Sequence, residues 1–235
     1  MEEMKFLFLA AAGMTLAWLL AACRGSSQKA DEPAPPVVRG REGAMQSASP
    51  PDQRRVIAAF GDSLTAGLGV EPGHTYPDYL QRMLDEKGYP YRVVNAGVSG
   101  DTTAGGLARI REIIELKPEI VLLELGGNDG LRGLPVSQTK ANLEEMVVLL
   151  QKEGITVVLA GMTLPRNYGP DYIKAFEQLY RDISARYKLV LIPFALESAV
   201  TEPGLMQRDG IHPTAAGYAR AAPVMFGYLE KALKK

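Results

Sequence analysis

From Arg54 onward the sequence predicts an α/β protein, a three-layer α/β/α sandwich built on a five-stranded, mainly parallel sheet. Three observations carry this. Short β-branched apolar runs recur five times and read as five buried strands. Stretches with apolar residues at three- and four-residue spacing separate them, so each strand is followed by a crossover helix, and the sheet is parallel and covered on both faces. Finally, 235 residues with 46% apolar and 23% charged side chains are ordinary for a globular protein with a real core, and one domain is the simplest partition.

The elements follow in order. Val56 to Phe60 is the first strand. Tyr76, Tyr79, Leu80, Met83 and Leu84 make one face of a helix that begins near Thr75 and is closed by Gly88. Tyr91 to Asn95 is the second strand. Leu107, Ile110, Ile113 and Ile114 mark a helix stopped by Pro118, and Ile120 to Leu125 is the third strand. Leu143, Met146, Val147 and Leu150 line a helix ending before Gly154, and Ile155 to Ala160 is the fourth strand. Ile173, Phe176, Leu179, Tyr180 and Ile183 form the next helix, and Leu189 to Phe194 the fifth strand. The last helix is expected to start at Pro213, since proline is tolerated in a first turn.

The first 53 residues read differently. Phe6 to Cys23 is an 18-residue run without charge. That is short for a membrane span of ~20 residues and right for the apolar region of a secretory signal. It ends Leu20-Ala21-Ala22-Cys23, which resembles the lipobox of bacterial lipoproteins and marks Cys23 as a lipidation site. Residues 1–23 are therefore expected to be a signal peptide. Glu2 and Glu3 offset the positive charge such a segment carries, and a start at Met4 gives Met-Lys-Phe-Leu and restores it. Residues 24–53 hold five prolines and no aromatic residue, the composition of a disordered tether. Residues 54–235 are the expected folded domain. The reading implies an exported, periplasmic protein held at a membrane by its N-terminal lipid.

Charge and residue counts exclude whole classes. Lys+Arg number 26 against 27 Asp+Glu, and loss of residues 1–22 would leave 25 of each, so there is no basic footprint for nucleic acid. A single cysteine excludes an internal disulfide framework and a Cys-rich zinc site. His74 and His212 are the only histidines, which leaves little for a His-based metal site and two candidates for a catalytic base.

In parallel sheets chemistry collects at the carboxyl ends of the strands. Strand one is followed by Gly61-Asp62-Ser63-Leu64-Thr65, strand two by Gly97-Val98-Ser99-Gly100-Asp101 and strand three by Gly126-Gly127-Asn128-Asp129-Gly130, while Asp209-Gly210-Ile211-His212-Pro213 precedes the last helix. These four blocks, in this order, resemble those of the GDSL or SGNH hydrolase family, over about Ile57 to Phe226. Leu123 to Pro135 and Leu164 to Gly169 are most similar to its bacterial thioesterase/lysophospholipase/arylesterase branch. The resemblance implies a flavodoxin-like SGNH hydrolase fold, no cofactor or metal, and a serine esterase acting on acyl esters or thioesters.

Residue by residue, the chemistry would run as follows. Ser63 is the nucleophile, and its hydroxyl needs a base within hydrogen-bond reach. His212 is that base, and Asp209, three residues earlier, can hold the ring in the useful tautomer. The resemblance implies an oxyanion hole formed by the Ser63 N–H, the Gly100 N–H and the Asn128 amide. Leu131, Leu134, Pro135, Leu164, Pro165 and Tyr168 are candidates for the lining of an acyl groove.

Plainer readings compete at several positions. Ser63 is also a suitable cap for a helix at a strand-helix turn. His74, next to a helix start, is expected to be structural, and Asp62 and Asp129 are expected to hydrogen-bond turns rather than transfer protons. Ser-x-x-Lys occurs at Ser26–Lys29 in the tether and at Ser137–Lys140 in an expected helix, neither a β-lactamase-like context. No Gly-x-Ser-x-Gly is present, against an ordinary α/β-hydrolase elbow. Two rivals stand beside the esterase: a carbohydrate O-deacetylase on the same scaffold, and a catalytically silent, lipid-anchored binding protein.

Overall fold

Five strands pair in the order β2-β1-β3-β4-β5, and every pair is parallel. They are β1 (Arg55–Gly61), β2 (Tyr91–Gly97), β3 (Ile120–Glu124), β4 (Thr156–Ala160) and β5 (Val190–Ile192). The computed structural model describes residues 52–235. The signal segment, Cys23 and nearly all of the expected tether lie outside the described residues.

The helices are α1 (Ser63–Ala66), α2 (Tyr76–Glu86), α3 (Thr103–Ala108), α4 (Ile110–Glu115), α5 (Gly127–Leu131), α6 (Val136–Lys152), α7 (Pro170–Tyr187), α8 (Glu197–Val200) and α9 (Ala215–Leu229). Alternation along β1 divides the core in two. Ala58 and Phe60 pack with Ile110, Leu143, Met146, Phe176 and Ile183, whereas Ile57 and Ala59 pack with Leu80, Leu84, Tyr218 and Phe226. Central β3 has partners on both sides and is buried at every residue, which is why it reads as an unbroken apolar run.

Four expectations change. The second strand is not a buried one: β2 is an edge, and all but Tyr91 of its residues keep some exposure. The fifth strand is short, because Pro193 has no N–H to extend the ladder beyond Ile192. The helix over Leu107 to Ile114 is two helices, α3 and α4, which meet at Arg109 in a non-helical conformation (φ −107, ψ 13). Finally, α9 starts at Ala215 rather than Pro213. Thr214 caps it through the Gly217 N–H at 3.2 Å, and Pro213 pairs with Met206 in an antiparallel bridge. The start of α2 is as expected, with Thr75 and Asp78 forming a reciprocal capping box.

Strand order reverses direction between β1 and β3, where open α/β sheets form their crevice. Ser63 follows β1 and Asn128 follows β3, so two of the four sequence blocks flank this point.

Candidate active site

The chain leaves β1 at Gly61 and turns at once into α1. Asp62 is its cap, accepting the Leu64 N–H at 3.0 Å, so Ser63 is the first helical residue and not the cap. The turn packs tightly on the neighbouring strand end. A Cβ at Gly97 would strike the backbone of Thr65 and Ala66, so only glycine lets α1 sit there.

His212 arrives from 149 residues away and meets Ser63, with Nε2 2.8 Å from the serine Oγ. Its Nδ1 lies 2.7 Å from Asp209 Oδ2. The other oxygen of Asp209 accepts the backbone N–H groups of Ile211 (2.9 Å) and His212 (3.0 Å), which closes the turn and aims the ring. Burial would raise the Asp209 pKa, but the bonds from the His212 ring and from these two N–H groups outweigh it and hold the carboxyl at about 2. Asp209 is thus a carboxylate throughout the neutral range. Gln207 fixes the turn to the rest of the site. Its backbone N–H donates to His212 O at 2.7 Å, and its side-chain amide donates to Leu68 O at 2.7 Å and Pro213 O at 2.9 Å.

The Ser63 and Gly100 N–H groups have no acceptor among the described residues. Gly100 has φ +85, a left-handed conformation that side chains disfavour. The Asn128 amide is not free: its nitrogen donates to Asp101 O at 2.8 Å and to Asp62 Oδ2 at 3.1 Å. Asn128 therefore joins the loops after β1, β2 and β3.

Of the flanking carboxylates, Asp62 is buried, and burial lifts its pKa to about 6 against the donors Leu64 and Asn128 and the nearby His212. Asp129 makes no simple turn. It reaches across to Thr103, accepting its N–H at 2.8 Å and its hydroxyl at 2.5 Å. His74 lies away from the site, exposed, with Nδ1 3.3 Å from the Tyr79 hydroxyl. Lys140 of the Ser137–Lys140 pair sits on α6 and pairs with Asp182.

A cavity of about 450 Å³ opens beside the triad. Leu131, Leu164 and Pro165 line it as expected from the sequence, but Leu134, Pro135 and Tyr168 do not. These three are occupied otherwise. The Tyr168 hydroxyl donates to Leu131 O at 2.8 Å, Tyr172 donates to Leu134 O at 2.8 Å, and Pro135 caps α6, so together they pin the loop behind the cavity wall. Much of the missed wall, Phe194, Leu196, Val200, Met206 and Ile211, comes from the long segment between β5 and α9, and Leu64 and Met162 add to it from just beyond the ends of β1 and β4. The only sequence signal of that long segment was scattered apolar residues without period.

Beneath Ser63 lies a buried acid that sequence reading also missed. Glu124 at the end of β3 accepts the Thr65 hydroxyl at 2.7 Å, and Thr65 Oγ1 lies 2.7 Å from the Tyr76 hydroxyl. Burial first, and then the charge of Asp62, push the Glu124 carboxyl well above its ordinary 4.5, which favours its neutral form. The sign of the consequence is definite. Below pH 4.5 folded and unfolded chains both carry the proton. As pH rises, only the unfolded chain loses it, and the folded state loses relative stability. Glu124→Gln keeps the shape without this penalty. Thermal melts from pH 4 to 8 should show the variant gaining on wild type as pH rises; a gap independent of pH would contradict a neutral Glu124.

Residues 59–220 match the model of the GDSL-like lipase/acylhydrolase family. The chain is 47% identical over 167 residues to esterase TesA of Pseudomonas aeruginosa, covering 71% of this chain and 83% of that protein. It is 37% identical over 158 residues to thioesterase 1/protease 1/lysophospholipase L1 of Escherichia coli K12, covering 67% and 74%. The crystal structure of TesA superposes with a TM-score of 0.74 at 44% identity, over 76% of this chain and all of the other. With its four blocks gathered at the strand ends of a parallel sheet, the chain belongs to the GDSL-like lipase/acylhydrolase family and is an SGNH-type acylhydrolase.

Proposed function

We propose that the protein is an esterase that cleaves acyl esters and thioesters through an acyl-enzyme on Ser63. The observation that carries the reading is the unbroken chain Ser63–His212–Asp209, with contacts of 2.8 and 2.7 Å. In the first half-reaction His212 Nε2 takes the Ser63 proton as Oγ attacks the acyl carbon. The resulting oxyanion is held by the Ser63 and Gly100 N–H groups and by the Asn128 amide, which gives up its longer bond, 3.1 Å to Asp62 Oδ2, to reach it, and the imidazolium returns the proton to the leaving alcohol or thiol. Water then repeats the sequence on the acyl-enzyme and releases the acid. Asp209 stays ionised and stabilises the imidazolium.

The apolar cavity supports medium-length acyl groups, whether on aryl esters, thioesters or lysophospholipids, over the acetyl group of a carbohydrate O-deacetylase. Among the relatives, names include esterase, thioesterase and lysophospholipase. Two measurements test the reading. A fluorophosphonate should label Ser63, whereas a silent binding protein would not react. Along a series of p-nitrophenyl esters, each buried methylene contributes about 0.8 kcal/mol, or roughly fourfold in kcat/KM, until the cavity is full. A maximum at acetate would favour the deacetylase.

We further propose that Cys23 carries lipid and holds the domain at a membrane surface facing the periplasm. The supporting features are the 18-residue uncharged run, the Leu-Ala-Ala-Cys ending and the proline-rich residues that follow. One acyl chain anchors only marginally, so two or more are expected. Intact-mass spectrometry of protein extracted from its native cell should find a chain beginning at Cys23 with added acyl mass. A free thiol, or a chain still carrying Met1 or Met4, would overturn this.

A further inference from the structure

Arg109 belongs to none of the four blocks, yet it is the residue at which the expected helix breaks. Its side chain turns inward and only 15% of it stays exposed. Every branch of the guanidinium is engaged. Nε donates to Asp101 Oδ2 at 2.6 Å, Nη1 to Ala96 O at 2.9 Å and Nη2 to Gly61 O at 3.0 Å, while the group lies 4.5 Å over the centre of the Phe60 ring. These acceptors sit on the segments that carry the oxyanion donors. Gly61 is two residues before Ser63, and its carbonyl also receives the Val98 N–H at 3.0 Å. Ala96 is next to last in β2, the strand that runs into the Gly100 turn. Asp101 follows Gly100, and its carbonyl accepts the Asn128 amide at 2.8 Å.

We propose that Arg109 is the positioning residue of the oxyanion hole. By cross-linking the ends of β1 and β2 to Asp101, it sets the Ser63 N–H, the Gly100 N–H and the Asn128 amide relative to one another. This rests on the reading of those three groups as the oxyanion donors. The planar fork matters, because three acceptors in different directions are reached at once, which the single ammonium of lysine cannot do. Donors that stabilise a developing charge act through small displacements, so the effect belongs to the transition state and to kcat.

The test compares Arg109→Lys, Arg109→Met and Arg109→Ala on a p-nitrophenyl ester. Arg109→Lys keeps a cation for Asp101 and should fold, but loses the fork. It should lower kcat by ~10-fold or more with KM nearly unchanged, as expected for an interaction made only in the transition state. Affinity for an alkylboronic acid, which becomes tetrahedral on Ser63, should fall by a similar factor, while affinity for the fatty-acid product should not. Millimolar methylguanidinium should restore part of the kcat of Arg109→Ala, saturably. A purely structural role would lower melting temperature and leave the turnover of the folded fraction intact. A folded Arg109→Lys with wild-type kcat and boronate affinity overturns the proposal. Loss of the underlying reading appears separately, as an Asn128→Ala enzyme with normal kcat.

Discussion

Replacing Ser63 or His212 by alanine is expected to lower kcat by several orders of magnitude, up to ~10⁶ by analogy with serine hydrolases whose triad members act as a unit. The reason is geometric: Oγ and Nε2 are 2.8 Å apart, so neither residue can be removed without removing proton transfer from the nucleophile. Asp209→Asn should cost less, because serine and imidazole remain. Its cost is still real, since Asp209 is ionised far below neutral pH and an amide cannot supply that charge to the imidazolium. His74→Ala is the control. The His74 side chain is exposed and bonds the Tyr79 hydroxyl rather than Ser63, so turnover should stay near wild type. Steady-state kinetics on purified variants decides the matter. Ser63→Ala with normal turnover would refute the nucleophile, and a loss in His74→Ala equal to that in His212→Ala would mean the base was misidentified.

Asn128→Ala should lower kcat by ~10²–10³ with little change in KM. Charge on the acyl oxygen develops mainly in the transition state, so the ground-state ester feels the missing donor weakly. The structure adds a second consequence. The amide nitrogen already bonds Asp101 O and Asp62 Oδ2, so its removal also loosens the oxyanion loop and strips a donor from the buried Asp62. Asp62, raised to about 6 even with that donor, would be protonated at still higher pH. A variant with raised KM and normal kcat would place Asn128 in substrate binding instead.

Much of the candidate site was legible because its residues lie in short local motifs. Gly-Asp-Ser-Leu makes a strand-to-helix turn, and Asp-x-x-His needs only one turn to bring carboxylate to imidazole; neither requires knowledge of distant contacts. The structure supplies the reason for two of the glycines in these blocks: a Cβ at Gly97 would strike α1, and Gly100 has φ +85. The parallel sheet was equally plain, because strands buried on both faces must be apolar throughout and strand-helix alternation leaves few alternatives.

What tertiary structure alone decided was partnership across the sheet. Asp129 looked like a turn residue but bonds Thr103, and Asn128 looked like a free donor but joins three loops. Leu134, Pro135 and Tyr168 share the expected region with Leu131 and Leu164 yet do not line the cavity, Tyr168 instead bonding Leu131 O, while much of the lining comes from aperiodic residues between β5 and α9. Arg109 and Glu124 carry no distinguishing signal in the sequence. Their surroundings turn one into a three-way clamp and the other into a buried acid whose neutral form is favoured. Sequence sets backbone conformation through nearest neighbours, but hydrogen-bond partners, burial and proton affinity are fixed by whatever the fold brings within about 3 Å, and that distance is set by packing between strands rather than along them.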